Sequence, residues 1–174
     1  MSELQFRPAT ISDAAELAAL VNSCYRGDSS RLGWTTEADL LDGTRTDAGE
    51  IANIITRPAS TIITCSDGNE IVGSVNVEKR GSNCYLGMLV VKPTLQRGGL
   101  GRQLIQAAED YARNTWHSEK MTMTVISRRS ELISYYERRG YHRTGEMKPF
   151  KFDDVHGIAR VDGIELEVLE KKLT

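Results

Sequence analysis

The segment from Gln96 to Gly101, with the sequence Gln-Arg-Gly-Gly-Leu-Gly, constrains the fold of this chain more than any other. The residues before it, Tyr85 to Val91, are nearly all apolar, which is typical of a strand buried on both faces. The residues after it place apolar side chains on one helical face, at Leu100, Leu104, Ala107, Ala108 and Tyr111. Such a turn directs several backbone N–H groups at one point, where the helix dipole favours an anion. We therefore expect a phosphate group there, the alternative being a tight connection without a ligand.

Three phosphate-binding motifs contain a glycine-rich turn, and their spacings separate them. A Walker loop needs a glycine, four residues and then Gly-Lys-Ser/Thr, and the chain has no such segment. A dinucleotide fingerprint needs a third glycine at the position that Leu104 occupies. The remaining pattern, Gln/Arg-x-x-Gly-x-Gly/Ala, matches at Gln96, Gly99 and Gly101. The spacing therefore favours this third motif.

Hydrophobic periodicity along the chain predicts strands and helices in one continuous unit. A strand at Leu4–Arg7 precedes a helix for which Thr10 and Asp13 form the N-terminal cap. Residues 36–56 contain two short helical patterns before Pro58. The other predicted elements are strands at Thr61–Cys65, Glu70–Glu78 and Tyr85–Val91, a helix at 100–113, a strand at 121–126, a helix at 130–139, a strand from Tyr141, a loop over 146–163 and a strand at Ile164–Leu169. This order, with its antiparallel meander, indicates an α/β domain with a mixed sheet.

Composition excludes several classes of protein. The 174 residues suit one domain, and the net charge of -2 gives no indication of a nucleic-acid partner. No apolar run approaches the roughly 18 residues that span a bilayer, and the first residues lack the pattern of a signal peptide. Cys24, Cys65 and Cys84 are isolated and have no metal-ligand spacing. We therefore expect a cytoplasmic protein with no metal, no disulfide and no membrane contact.

Three segments occur in an order that identifies a family. Leu89–Pro93 is followed by Gln96–Gly101 and then by Leu132–Tyr141, which ends in Gly-Tyr. This set resembles the GNAT superfamily of acyl-CoA-dependent N-acetyltransferases, densely from Glu70 to Glu146 and more loosely over the whole chain. The resemblance implies one GNAT-like domain over residues 1–174. Its fold would be α/β, with a mixed twisted sheet of six or seven strands and helices on both faces.

The resemblance also implies roles for individual residues. In that family the strand before the turn separates from its neighbour, and its backbone binds the pantetheine arm of acetyl-CoA; this strand corresponds to Leu89, Val90 and Val91. The turn binds the pyrophosphate, which corresponds to Gln96, Arg97, Gly98, Gly99, Leu100 and Gly101, with Arg102 adjoining. The tyrosine four residues before the later glycine corresponds to Tyr136, which would be the catalytic general acid.

The chain departs from the family pattern at three places. Arg129 stands where an asparagine is frequent, and Leu132 stands where an alanine is frequent. Many members place a glutamate on the strand before the turn as a general base, whereas Leu86-Gly87-Met88-Leu89 contains no carboxylate. The sequence therefore leaves the general base open.

Other side chains carry weaker signals. Tyr135 is predicted to be a core residue or part of the acceptor wall, because adjacent helical residues point about 100° apart. The pairs Arg128-Arg129 and Arg138-Arg139 are interpreted as solvated. Trp34 and Glu37 are candidate substrate-binding residues, since an aromatic beside a carboxylate suits a cationic amine, although a capped surface helix explains them as well.

These observations predict an N-acetyltransferase that moves an acetyl group from acetyl-CoA to a primary amine. No nucleophilic cysteine or serine motif is present, so direct transfer in a ternary complex is favoured over a covalent intermediate. The acceptor would be a small amine or a peptide amine, and the architecture is compatible with a homodimer. The alternative is a catalytically silent CoA-binding sensor or interaction module.

Overall fold

A computed structural model describes residues 3–25, 41–42, 45–96, 98–149, 158–159 and 164–173. The strands are β1 (Leu4–Pro8), β2 (Leu41–Asp42), β3 (Ser60–Asp67), β4 (Glu70–Arg80), β5 (Asn83–Val91), β6 (Lys120–Ile126), β7 (His142–Pro149), β8 (Ile158–Ala159) and β9 (Glu165–Lys172). The α-helices are α1 (Ala14–Tyr25), α2 (Ala48–Thr56), α3 (Leu100–Trp116) and α4 (Ser130–Arg138). None of the described helices is long and apolar enough to cross a membrane.

Seven strands form one mixed sheet in the order β1-β3-β4-β5-β6-β9-β7. Strands β3, β4 and β5 pair as the antiparallel meander that the sequence predicts. The parallel pair is β5 with β6, because the chain returns through α3 between them. The α/β class, the mixed sheet and the number of its strands are therefore confirmed.

Helices cover both faces of this sheet, as expected. Alternate residues of β3 show the division, since Ile62 packs in the cluster with α1 and α2 whereas Ile63 packs in the cluster with α3 and α4. Successive side chains on a strand point to opposite faces, so a strand buried on both faces shows a continuous apolar run. The sheet is consequently the central layer of three, and its middle strand β5 has its backbone held between helices of both outer layers.

The start of α1 is fixed by a local polar network. The Thr10 backbone N–H donates to Asp13 Oδ2 at 2.8 Å, and Arg7 Nη1 lies 2.8 Å from the same oxygen. The hydrogen bond from Arg7 lowers the pKa of the Asp13 carboxyl, although burial opposes it. The predicted cap is therefore present. It fixes the beginning of a helix whose last residues, Cys24 and Tyr25, contact β5.

Three elements differ from the sequence prediction. Of residues 36–56, the later helical pattern forms α2, but Leu41–Asp42 is a short strand paired with Ile158–Ala159. Helix α3 extends to Trp116, whose ring packs edge-on against Tyr111 at 5.0 Å. Strand β7 runs to Pro149 in a region expected to be a loop, because its pairing with β9 resumes beyond a bulge between Arg143 and Met147.

Candidate active site

The two central strands separate to form a cleft. Strand β5 pairs with β6 only through Asn83–Tyr85, opposite Lys120–Thr122. At the end of this pairing the Tyr85 hydroxyl and Thr124 Oγ1 are hydrogen-bonded at 2.6 Å. Beyond it β6 pairs with β9 alone, so the edge of β5 that faces β6 is left without a strand partner. The separation expected from the family resemblance is thus present, and it begins just after Tyr85.

A β-bulge turns the backbone of β5 at the cleft. Gly87 lies opposite Asn76 and Val90 opposite Ser74, so β5 has one extra residue within this interval. Met88 absorbs it with a φ of 47°, in the left-handed region that non-glycine residues seldom adopt. The hydroxyl of Tyr25 donates to the Leu89 carbonyl at 2.6 Å. The helix on one face of the sheet therefore holds the irregular backbone in place.

The end of β5 is fixed from both sides. The Val91 carbonyl accepts the Cys24 thiol at 3.3 Å and the Gln96 side-chain amide at 3.0 Å. On the other edge of the strand, the Lys92 N–H donates to Val72 O at 2.8 Å. Since alternate residues of a strand face alternate neighbours, the Val91 N–H is directed toward the cleft. Gln96 is therefore placed where it ties the glycine-rich turn back to the strand.

The glycine-rich turn leads directly into α3. Gly99 precedes the helix with a φ of 81° and a ψ of 5°, a left-handed conformation that favours glycine. A Cβ atom at Gly99 would have no heavy atom within 4 Å, whereas one at Gly101 would lie 2.9 Å from the Tyr135 hydroxyl. The surface at the N-terminus of the 17-residue helix α3 is therefore concave, with open space above Gly99 and the Tyr135 hydroxyl close to Gly101.

A groove of about 490 Å³, here called the turn groove, lies between this turn and α4. Its lining residues are Leu89, Val91, Gln96, Gly99, Gly101, Arg102, Glu131, Leu132, Tyr135, Tyr136, Arg138 and Arg139. The Arg139 guanidinium lies 4.8 Å from the centre of the Tyr135 ring. Three arginines thus border one groove that also contains a helix N-terminus, which gives the groove a positive electrostatic character.

A second cavity of about 560 Å³, here called the strand cavity, fills the gap between β5 and β6. Residues 86–89 and 123–126 line its two sides. The other lining residues are Tyr25, Arg45, Glu50, Arg80, Tyr85, Arg129, Leu132, Tyr136, Lys148, Pro149 and Leu166. The strand cavity and the turn groove share Leu89, Leu132 and Tyr136, so the two spaces meet at these side chains.

Tyr136 occupies the junction between the two spaces. It is 6% exposed, and its ring packs edge-on against Tyr135 at 5.5 Å and Tyr141 at 6.2 Å. Within the described part of the chain its hydroxyl makes no hydrogen bond. Burial raises the pKa of Tyr136 well above its ordinary value, and the nearby Arg129 opposes this shift. The hydroxyl is therefore a protonated donor directed at a space where a ligand would lie.

The structure brings most of the predicted site residues to one place. Leu89, Val91, Gln96, Gly99, Gly101, Arg102 and Tyr136 all line the turn groove. Val90 pairs with Ser74 and is fully buried, and Leu100 is buried in the core, so neither side chain reaches the groove. Gly98 adjoins the groove in sequence. Arg97, Trp34 and Glu37 lie outside the described residues.

Several residues at the site were interpreted differently from the sequence. Tyr135 packs against the core, which is one of its two predicted places, and it also lines the turn groove but not the strand cavity. Arg129 is half-buried in the strand cavity, and Arg138 and Arg139 border the turn groove, so these arginines are not merely a solvated face. Arg45, Arg80, Glu50 and Lys148 were not singled out, because they come from four segments whose meeting only the fold produces.

Comparison with known proteins identifies the family. Residues 43–157 match the family described as Acetyltransferase (GNAT) domain. The chain belongs to this family. It is an acyl-CoA-dependent acyltransferase. No curated protein sequence matches the chain significantly.

Solved structures of acetyltransferases share this fold. An N-acetyltransferase from Staphylococcus aureus superposes with a TM-score of 0.73 at 15% identity, with 99% of each chain covered. A ribosomal-protein alanine N-acetyltransferase from Escherichia coli gives a TM-score of 0.72 at 11% identity over 99% of this chain and 95% of that one. A spermidine N-acetyltransferase chimera derived in part from Vibrio cholerae gives a TM-score of 0.69 at 15% identity, with 99% of this chain and 96% of that chain covered. At these identities the likeness concerns the fold alone.

Proposed function

We propose that residues 1–174 form a single cytoplasmic N-acetyltransferase domain that transfers an acetyl group from acetyl-CoA to a primary amine. The acceptor is a small amine or a peptide amine, and transfer is direct, in a ternary complex. One observation carries the proposal: Leu89 and Tyr136 line both the turn groove and the strand cavity. A donor in the first space and an acceptor in the second would meet at these two residues.

The turn groove suits the phosphates and the pantetheine arm of acetyl-CoA. The open surface above Gly99 leaves room for a pyrophosphate close to the first N–H groups of α3. Arg102, Arg138 and Arg139 would supply positive charge around it. The Val91 N–H, directed toward the cleft, would bond the pantetheine amide. Arg97 and Gly98 complete the proposed turn.

The reaction needs stabilisation of two developing charges. Acetyl-CoA supplies the acetyl group as a thioester; the amine nitrogen forms a bond to the carbonyl carbon, and the carbon–sulfur bond breaks. The proton that the nitrogen loses is released to water, and the departing sulfur takes up one proton to leave as the thiol of CoA. The bulge at Met88 leaves Met88 and Leu89 out of register with β4, so an amide near Leu89 is the proposed donor to the carbonyl oxygen. Tyr136 is the proposed donor to the departing sulfur.

The raised pKa of Tyr136 favours hydrogen bonding over full proton transfer. An ordinary phenol already has a pKa of about 10, against about 8.5 for a simple thiol. Burial shifts the Tyr136 pKa further upward, so complete transfer of its proton to the sulfur is more uphill still. A hydrogen bond that strengthens as the sulfur becomes negative requires no complete transfer. The same burial keeps the hydroxyl protonated over the whole neutral range.

Two measurements test the proposed function. Isothermal titration with acetyl-CoA measures binding, and thiol release with a panel of primary amines measures turnover. We expect binding together with release that depends on the amine. Binding without release on any amine would favour the alternative, a silent CoA-binding module. The absence of acetyl-CoA binding would contradict both.

A further inference from the structure

The described wall of the strand cavity carries an excess of positive charge. Arg45, Arg80, Arg129 and Lys148 line it, whereas Glu50 is the only carboxylate among the described lining residues. These cations come from four places in the fold: the residues before α2, the end of β4, the residues before α4, and β7. Like charges from separate elements repel one another, so their convergence on one cavity indicates a binding function and not a local packing need.

Two of the arginines are positioned by aromatic rings of the same cavity. The Arg80 guanidinium lies 4.1 Å from the centre of the Tyr85 ring, and its Nε lies 3.3 Å from Glu78 Oε1. The Arg45 guanidinium lies 5.7 Å from the centre of the Tyr25 ring. A guanidinium above a ring can still use the N–H groups at its edge to bind a bidentate anion. The rings thereby hold these cations ready for an acidic group.

The single described carboxylate does not balance this charge. Glu50 Oε1 accepts the Thr46 hydroxyl at 3.0 Å at the start of α2. Four cationic side chains and one carboxylate thus line the described wall, and Glu78, which does not line it, pairs with Arg80 at 3.3 Å. A polycationic acceptor would meet like charge there, which disfavours its binding. The described wall therefore favours an acceptor that carries an acidic group. Trp34 and Glu37 were candidates for binding a purely cationic amine.

We propose that the acceptor is a small primary amine that also carries a carboxylate or phosphate group, held by Arg45, Arg80, Arg129 and Lys148. The inference rests on the proposed acetyl transfer and specifies its substrate class. A cavity of about 560 Å³ lies within the range of small-molecule sites, roughly 300–1,000 Å³. The acidic group offsets part of the positive charge of the wall, and the amine is directed toward Leu89 and Tyr136, where the cavity meets the turn groove.

The same charges would prepare the amine for reaction. Only the neutral amine is a nucleophile, and nearby cations lower the pKa of a bound ammonium group. The β5 segment Leu86–Leu89 has no carboxylate to act as a base. A cationic wall therefore offsets this absence, because it shifts the bound acceptor toward its neutral form.

Matched pairs of acceptors test the proposal. Thiol release is measured for amino acids against their amides, for aminoethyl phosphate against ethanolamine, and for spermidine as a polycation. We expect kcat/KM at least about 10-fold higher for the acid-bearing member of a pair, equivalent to about 1.4 kcal/mol. Amino-acid amides have less basic amines, so amine ionisation alone would favour the amide. The two pairs distinguish carboxylate from phosphate recognition.

Charge variants locate the effect. Arg45→Gln and Lys148→Gln are each expected to raise KM for the acid-bearing acceptor by about 10- to 150-fold, the cost of one lost charge-assisted hydrogen bond, with KM for acetyl-CoA unchanged. Lys79→Gln is the matched control, because Lys79 is exposed, adjoins Arg80 on β4 and lies outside both spaces. Added salt should weaken the binding of the acid-bearing acceptor more than the binding of its partner without the acidic group.

The outcomes separate this inference from the function on which it rests. Equal or better turnover of ethanolamine, amides or spermidine would overturn the inference and leave the acetyl transfer intact. If acetyl-CoA binds but no amine is acetylated, the affinity of each acceptor for the protein–CoA complex is measured by calorimetry instead. No preference for acid-bearing amines in that titration would also overturn it. Failure of acetyl-CoA to bind would remove the proposed function itself.

Discussion

The hydroxyl oxygen of Tyr135 lies 2.9 Å from the point that a Cβ atom on Gly101 would occupy. Any side chain at Gly101 must therefore shift the Tyr135 hydroxyl. We predict that Gly101→Ala lowers the free energy of unfolding by roughly 1–3 kcal/mol, as overpacking does elsewhere, and weakens acetyl-CoA binding. Urea denaturation and isothermal titration measure the two effects.

A double variant isolates the cause. Tyr135→Phe removes the obstructing oxygen, so Gly101→Ala in that background should cost less than about 0.5 kcal/mol. Gly98→Ala controls for stability, because its added Cβ would meet only Leu95 O at an ordinary 3.6 Å. If Gly101→Ala lowers the free energy of unfolding equally in the wild type and in the Tyr135→Phe variant, the contact with the hydroxyl is not the reason for glycine at this position.

Tyr136 differs from its neighbour in reaching both the turn groove and the strand cavity. We predict that Tyr136→Phe lowers kcat by about 10²-fold or somewhat less, at the lower end of general acid catalysis, because the donor hydrogen-bonds without full proton transfer. Affinity for CoA and the fold should be retained. Tyr135→Phe should change kcat little. Steady-state thiol release provides the comparison, and a silent Tyr136→Phe would mean that the sulfur leaves without this donor.

Much of the fold was predictable because its signals are local. The meander, the turn and α3 each depend on alternation, helical spacing or glycines within a few residues. Boundaries that depend on distant partners were missed. Leu41–Asp42 is a strand only because Ile158–Ala159 pairs with it, and β7 continues to Pro149 only because β9 lies beside it.

The candidate site divides in the same way. The glycine-rich turn and Tyr136 belong to contiguous motifs, so the sequence could indicate them. The charged wall of the strand cavity could not be indicated, because Arg45, Arg80 and Lys148 are far apart in the chain and carry no motif. Trp34 and Glu37 stay predictions, since both lie outside the described residues.

An ion pair with a buried carboxylate ties α3 to strand β9. Glu109 is 3% exposed and accepts Lys171 Nζ at 2.8 Å and the Tyr141 hydroxyl at 3.1 Å. We predict that Lys171→Met lowers the free energy of unfolding by roughly 2–3 kcal/mol, because it leaves a buried carboxylate without its cation, although Lys171 is partly in water. Urea denaturation measures this, and the double variant with Glu109→Gln should recover most of the loss. If Lys171→Met leaves the free energy of unfolding unchanged, Lys171 does not stabilise the buried Glu109 carboxylate.

Buried thiols predict the response of stability to alkaline pH. Burial raises the pKa of Cys24 to about 11 and that of Cys65 to about 11. The unfolded thiols ionise near about 8.5, so the folded state favours the protonated form. The protonated thiols therefore contribute fully to the free energy of unfolding below about pH 8.5, and this contribution is lost as the pH rises toward about 11. Urea midpoints should fall between about pH 8.5 and about pH 10, and less steeply in the double variant Cys24→Ala with Cys65→Ala. Equal slopes would exclude the thiols as the cause.

The central claim is that donor and acceptor meet at Leu89 and Tyr136, between the turn groove and the strand cavity. A crystal structure with a non-hydrolysable acetyl-CoA analogue tests it most directly. We predict the pyrophosphate at Gly98–Gly101 and the sulfur within about 3.5 Å of the Tyr136 hydroxyl, close enough for the hydroxyl to donate a hydrogen bond to it. A cofactor bound outside the turn groove, or with its sulfur far from Tyr136, would contradict the account.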